Sequence, residues 1–375
     1  MSEQLSTHKV EVVPVVMEKH PNADSLSVVR VFGGYTCCVR TQDWQGIGLA
    51  AYLPPDSVVD TTRSEFAFLM DQAKADGKAR IKAKKLRGVI SFGLLVPAPQ
   101  GAQLGDDLAT SLGVEHYEPT PEHEKRGSLY MGGEVAPAPS VHTVKYDVDA
   151  FRRYHHLFVP DEPVVITEKL DGANSRFVFA EGKMHCGSRT EWKKEYPDYS
   201  HVTAEKLIAA GKTEEEAQQI LDRLQGKKRK NLWWEMLDKY PIIEEFCRAC
   251  PGVIVYGEVF GNVNCIKYGL PDGNRFAAFD LMYEGKWLDA YEARCRTADC
   301  CKSDDFPWVP HIPNTGKYNF EEACALAEGQ SLVPDAKAGT IREGVVIKPV
   351  KERFDSHIGR ICFKCVSGAY LEKYR

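Results

Sequence analysis

Lys169 stands in the string Glu168-Lys169-Leu170-Asp171-Gly172-Ala173-Asn174, directly after the β-branched run Val164-Val165-Ile166-Thr167. A lysine acts as a covalent nucleophile only as the neutral amine, so its surroundings must bring the pKa down from about 10.4. The end of a buried strand beside a turn offers such surroundings. The apolar run reads as the strand that fixes the direction of the lysine, Asp171-Gly172 as the turn, and Asn174 as a polar group aimed back at the site. The same string would also suit a plain charged hairpin.

Further chemistry-bearing segments follow in order, each on an expected strand or strand end: Ser188-Arg189-Thr190, then Val255-Tyr256-Gly257-Glu258-Val259-Phe260-Gly261, then Phe276 to Leu281. Arg342-Glu343-Gly344-Val345-Val346-Ile347-Lys348-Pro349 and Phe363-Lys364-Cys365-Val366-Ser367 close the set. Arg189 offers a fork of donors to a phosphate or ribose oxygen, which lysine would not reproduce bidentately. Gly257, next to Glu258, leaves room for a ligand to approach the backbone.

Together these segments resemble motifs I, Ia, III, IIIa, IV and V of the covalent nucleotidyltransferases, the ATP-dependent ligases and capping enzymes, over residues 145–375. The resemblance implies that Lys169 attacks the α-phosphate of ATP, expels pyrophosphate and carries AMP as a phosphoramidate. It implies Glu258 on the ribose hydroxyls, Phe279 stacked on the adenine, and Glu168 at the adenine edge. Glu343 would hold a divalent cation, Mg or Mn, with Asp171 sharing that duty, and Lys348 and Lys364 would supply positive charge to the triphosphate. Arg189 would also meet the 5'-phosphate of the nucleic acid, and Asn174 would act on the adenylylated end. One departure stands out. The family places two alternating lysines on the motif V strand, whereas here Lys364 lies between Cys362 and Val366, with Arg360 as the nearest basic residue expected on that strand face.

Two parts of the chain supply the elements that position these groups. Residues 1–118 read as about five short strands around the turn Gly33-Gly34, an all-β barrel of the OB type. In this part His20-Pro21-Asn22-Ala23-Asp24-Ser25-Leu26 resembles a loop of tRNA-binding OB modules, and residues 80–95 resemble the amino-terminal region of one branch of RNA ligases. The basic run containing Arg80, Lys82, Lys84, Lys85 and Arg87 has the alternation that a backbone-binding strand face requires. Residues 119–144 have the Pro, Glu and Gly content of a linker. Residues 145–375 alternate strands with amphipathic helical stretches, notably 203–224, broken at Gly211, and 232–250. That part is expected to be an α+β nucleotidyltransferase domain, ATP-grasp-like, with antiparallel sheets and peripheral helices.

Composition narrows the class. With 43% hydrophobic and 27% charged residues and no apolar run near the ~18 residues of a membrane span, the 375-residue chain reads as soluble, without a signal peptide, and cytoplasmic. Its 12 cysteines then read as reduced thiols. Cys362 and Cys365 would point to opposite faces of a strand and not converge on zinc. Net charge of -5 excludes indiscriminate nucleic-acid binding, and the cluster Lys227 to Lys230 reads as a solvated helix end.

An OB-like domain ahead of the nucleotidyltransferase domain, with none following motif V, resembles the fifth family of polynucleotide RNA ligases. The resemblance implies a monomer that joins 3'-hydroxyl and 5'-phosphate ends, acting on RNA or on a nicked duplex with an RNA strand on the 3'-hydroxyl side. A DNA ligase with rearranged domains, and an RNA-binding module without chemistry, are the alternatives.

Overall fold

Alternation in Leu26–Val31 and Tyr35–Arg40 buries Val29, Val31, Cys37 and Val39 on one side, and Phe32-Gly33-Gly34 turns the chain between the two strands. The edge strand Met17–Lys19 completes this sheet. A second sheet orders Glu11–Pro14, Leu49–Leu53 and Leu94–Pro97, and a third orders Glu115–His116, Ser57–Asp60 and Lys78–Arg80. A short hairpin pairs Lys84–Leu86 with Val89–Ser91. Leu49–Leu53 is the hinge of the barrel, because Ala51 and Leu53 face one apolar cluster while Ala50 and Tyr52 face another. More and shorter strands form than the five expected, since bends after Pro14 and at Gly93 break up what would be longer runs. The computed structural model describes residues 8–117, 133–225 and 229–374. Most of the expected linker, residues 119–132, and Lys227 and Lys228 lie outside the described residues.

Among the described residues the second part holds two large sheets and a two-stranded ribbon of Phe354–Asp355 with Gly359–Arg360. One large sheet orders Asp149–Ala150, Phe363–Val366, Gly344–Pro349 and Val164–Lys169. The other orders Trp192–Lys193, Lys183–Gly187, Gly172–Ala180, Ile254–Phe260, Arg275–Tyr283 and Lys286–Trp287. Helices cover the outside, as their apolar stripes require. Helix residues Met236, Leu237, Ile243, Phe246 and Ala293 pack on Phe177, Val255 and Leu281 of the larger sheet. The stretch expected as one helix over 232–250 is two, Leu232–Lys239 and Pro241–Ala249, because Pro241 has no N–H to continue the first. The expected break at Gly211 is present, with φ of +86° there between Ala204–Ala209 and Glu214–Gln225. No helix among the described residues is long and apolar enough to cross a membrane.

The two parts are in direct contact. Arg153 pairs with Glu11 and lies over the Phe32 ring, Arg152 lies over Phe92, and His155 Nε2 is 3.2 Å from the Phe32 carbonyl oxygen. Gly368, at the start of the helix Gly368–Tyr374, packs on Ile90 of the short hairpin.

Candidate active site

The chain crosses from one sheet to the other at the lysine. Lys169 is the last residue of Val164–Lys169 in the four-stranded sheet, and Gly172 opens Gly172–Ala180 in the six-stranded one. The expected turn at Asp171-Gly172 is therefore this crossing, not a hairpin, and Val164–Lys169 pairs instead with Gly344–Pro349. A Cβ at residue 172 would lie 2.1 Å from the carbonyl oxygen of Val259 on the neighbouring strand Ile254–Phe260, so only glycine lets the chain enter the six-stranded sheet this close to its partner strand.

Register then decides which residues share a face. Lys169 lies opposite Gly344, Val165 opposite Lys348, and Val346 opposite both Thr167 and Lys364. Cross-strand partners point the same way. Lys169, Lys348 and Lys364 thus gather on one face, while Ile166, Val345, Ile347, Phe363 and Cys365 fill the core on the other. Lys169 Nζ donates to Glu343 Oε2 at 2.6 Å. Lys364 has no hydrogen-bond or ion-pair partner among the described residues; burial, with Lys169 nearby, lowers its pKa.

Lys169 departs from the sequence expectation in one respect. Burial alone would lower its pKa, but Glu343 above all, then Glu258 and Asp171, outweigh burial and raise it. The amine is charged in this arrangement. Nucleophilicity therefore requires that Glu343 be drawn off or neutralised.

Across from the lysines, the six-stranded sheet presents Asn174 and Glu258, which are cross-strand partners. The Asn174 Oδ1 is buried without a hydrogen bond, although its backbone oxygen accepts from Trp233 Nε1 at 3.0 Å. Register slips between Tyr256 and Gly257, so Tyr256 faces Asp280 and Gly257 faces Ala278, leaving Phe279 as the extra residue of a bulge. A bulge re-aims one side chain. Phe279 rests against Tyr146, ring centroids 4.4 Å apart.

Burial pushes the Glu258 carboxyl up to about 8; Lys169 opposes this, and Glu343 and Asp171 reinforce it. Between the unfolded value of 4.5 and about 8 the folded protein holds a proton that the unfolded chain has lost, so this group's contribution to stability declines as pH rises through that window. Wild type should accordingly lose more of its thermal midpoint from about pH 5 to about pH 8 than Glu258→Gln does. Parallel curves would refute the assignment.

Several expected site residues are committed elsewhere. Glu168, expected at the adenine edge, alternates with Lys169 and so points to the opposite face, where it accepts from Ser331 Oγ and the Leu332 N–H, both at 2.6 Å. Asp171 accepts from Asn264 Nδ2 at 2.9 Å, Tyr370 Oη at 3.1 Å and the Ile266 N–H at 2.6 Å, while its own N–H donates to Tyr268 Oη at 2.9 Å. Three donors on one carboxylate make Asp171, expected to share the metal, a bracket for the crossing in this structure. Lys348 shares the lysine face but pairs with the buried Asp280. Arg360 lies on a separate short strand, Gly359–Arg360, off the motif V strand, and grips Asp280 at 2.9 and 3.0 Å and Glu352. Burial pulls the Asp280 pKa upward, but Arg360 and Lys348 outweigh it and hold the carboxyl below the usual carboxylate range.

Arg189 forms an exposed ion pair with Asp147. In the barrel, Ala79, Ile81 and Ala83 are buried and alternate with the basic residues as expected, yet Arg80 is tied to Asp56 and stacked on Tyr117, and Lys84 donates to Gln72. Lys82, Lys85 and Arg87 remain exposed. Asn264, Tyr268 and Tyr370 carry no spacing signal in the sequence and reach the site by tertiary contact alone; Asp280 lies in the Phe276 to Leu281 segment, from which only Phe279 was expected at the site.

A family model for RNA ligase matches residues 162–366, more than half of the chain, and spans every strand that borders the site. The chain belongs to the RNA ligase family. A model for an OB-fold domain matches residues 7–98 of the ligase, so an all-β OB-fold domain precedes the α+β ligase domain. No curated protein matches the chain. Among solved structures it is similar to Naegleria gruberi RNA ligase, in a lysine-to-methionine mutant with AMP and Mn, at 20% identity and a TM-score of 0.69, covering 97% of this chain and 98% of that one. A lysine-to-alanine mutant of the same protein with ATP and Mn gives 19% identity, a TM-score of 0.68 and the same coverage. At this identity the likeness shows a shared fold across both domains.

Proposed function

We propose that this RNA ligase uses ATP to join a 3'-hydroxyl to a 5'-phosphate end of RNA, in nick sealing or end repair, through AMP carried on Lys169. The observation that carries the reading is the junction itself: Lys169 and Lys364 share one face with Glu343, opposite Asn174, Glu258 and the bulged Phe279. Neutral Lys169 Nζ attacks the α-phosphorus, a P–N bond forms, and the P–O bond to pyrophosphate breaks. The RNA 5'-phosphate then takes the AMP, and the 3'-hydroxyl displaces it to form the phosphodiester. AMP and Mn accompany the Naegleria gruberi structures, which supports a nucleotide and a divalent ion here.

Glu343 fits the ion, as a hard oxygen donor beside the lysines where phosphates would gather. Among the described residues no group of three or more His, Cys, Asp or Glu could hold a metal ion, so phosphate oxygens and water would complete its shell, as is common for Mg²⁺. Such an ion would neutralise charge on the leaving pyrophosphate. It would also draw Glu343 from Lys169 and free the amine. Glu258 would accept from the ribose, Phe279 would cover the purine, and Lys364 would meet phosphate, with the barrel, residues 1–118, gripping the RNA backbone. Arg189, released from Asp147, would meet the 5'-phosphate.

Purified protein given ATP, a divalent ion and a nicked duplex with 3'-hydroxyl and 5'-phosphate RNA ends should seal it. A 3'-deoxyribose strand at the nick should be sealed more slowly. Equal or faster sealing of the deoxyribose strand would transfer the proposal to DNA.

A further inference from the structure

The short hairpin of the barrel carries a conformational anomaly. Leu86 and Val89 pair across a two-residue loop, Arg87-Gly88, whose φ angles are +47° and +92°. Two positive values mark the mirror-image turn that favours Asn, Asp or Gly at its first position and glycine at its second. Gly88 obeys this rule, and Arg87 breaks it, holding a left-handed conformation that strains a side chain with a Cβ.

The surrounding barrel holds the turn in place from below. His20, 1% exposed, has its Nε2 3.1 Å from the Leu86 carbonyl oxygen, and Asn22 Nδ2 donates to the Arg87 carbonyl oxygen at 2.9 Å. Both belong to the His-Pro-Asn-Ala-Asp loop, a feature that the adenylylation chemistry leaves unused. The clamp acts only on backbone oxygens, so the guanidinium of Arg87 is left exposed. Neither Arg87 nor its neighbour Lys85 has a carboxylate partner among the described residues, whereas Lys78 pairs with Glu115 and Arg80 with Asp56. On the same hairpin Ile90 packs on Gly368, and two residues further along that helix Tyr370 holds Asp171 beside the nucleophile. This turn therefore sits on the part of the barrel that faces the ligase domain.

We propose that the Arg87 turn is a preformed contact for the RNA phosphodiester backbone, with Arg87 as the contacting residue and His20 and Asn22 as positioning residues. The proposal rests on the ligase reading above and narrows the expected basic run to its unpaired end. A strained backbone held by two side chains is retained because the rigid turn presents the guanidinium without further ordering on binding. Glycine in place of Arg87 would relieve the strain and discard the contact, so stability and binding should move apart.

The experiment uses the full chain, nicked RNA duplex as the probe, and a salt series. Arg87→Ala should weaken binding about tenfold and reduce the slope of log affinity against log salt by about 0.7–0.9, the contribution of one phosphate contact. Arg87→Gly should bind as weakly as Arg87→Ala while keeping a thermal midpoint at or above wild type. Asn22→Ala should weaken binding several-fold with the wild-type salt slope, because the charge is still present but no longer aimed. Transfer of AMP to Lys169 should be normal in all three. Wild-type affinity and slope in both Arg87 variants would overturn the proposal, as would a lower midpoint in Arg87→Gly. Failure of wild type itself to form the AMP adduct would instead overturn the ligase reading, which keeps the two failures distinct.

Discussion

Lys169→Ala is expected to abolish the transfer of label from α-labelled ATP to the protein, with a loss beyond the detection range of the gel. No neighbour can take over. Lys364 shares the face and has its pKa lowered, yet it lies across the sheet, one strand beyond Gly344–Pro349, on an anchored backbone. Lys348 is held by Asp280. The adduct in wild type should survive neutral hydroxylamine, as a P–N bond does and an acyl phosphate does not. Lys169 is partly exposed, 23% for its side chain, so truncation should leave the fold intact and the thermal midpoint near wild type. Persisting label in Lys169→Ala would sink the covalent mechanism.

Glu343→Gln should produce the second largest effect, a loss of about a hundredfold or more in the rate of AMP attachment, the usual scale for removing one preorganised electrostatic partner of a transition state. Its pH dependence separates the two roles of Glu343. In the free enzyme the raised pKa of Lys169 makes the neutral amine scarce at neutral pH, so kcat/KM for ATP, which reports the free enzyme's groups, should climb with pH. Glu343 is the largest of the carboxylate influences that raise Lys169. Removing its charge should therefore move the climb to lower pH even as the overall rate falls. A lower rate with an unshifted profile would confine Glu343 to the cation and remove it from control of the amine.

These two residues also show how far sequence alone reaches. Lys169, Glu258, Glu343 and Lys364 were legible because each belongs to a short string in which strand periodicity and glycine placement are local properties. The OB-type barrel followed by an α+β domain was legible for the same reason, as was the helix break at Gly211. Alternation already separated Glu168 from Lys169, since neighbours on a strand face opposite ways, yet which face met solvent and which met Ser331 depended on the loop Gln330 to Val333 packing there.

Other features lay beyond any local pattern. That Asp171 is bracketed by Asn264, Ile266 and Tyr370 depends on segments some 90 to 200 residues away. That Lys348 is held and Lys364 is not depends on where Asp280 and Arg360 come to rest after two sheets close on one another. The sign of the Lys169 shift has the same origin. Burial and nearby carboxylates push its pKa in opposite directions, and the outcome is set by distances across the junction. Sequence by itself determined which residues to expect at the site and which strands present them. Only the tertiary structure decided which of those groups are free to meet a ligand, because pairing of buried charges depends on separations of a few ångströms between segments that are remote along the chain.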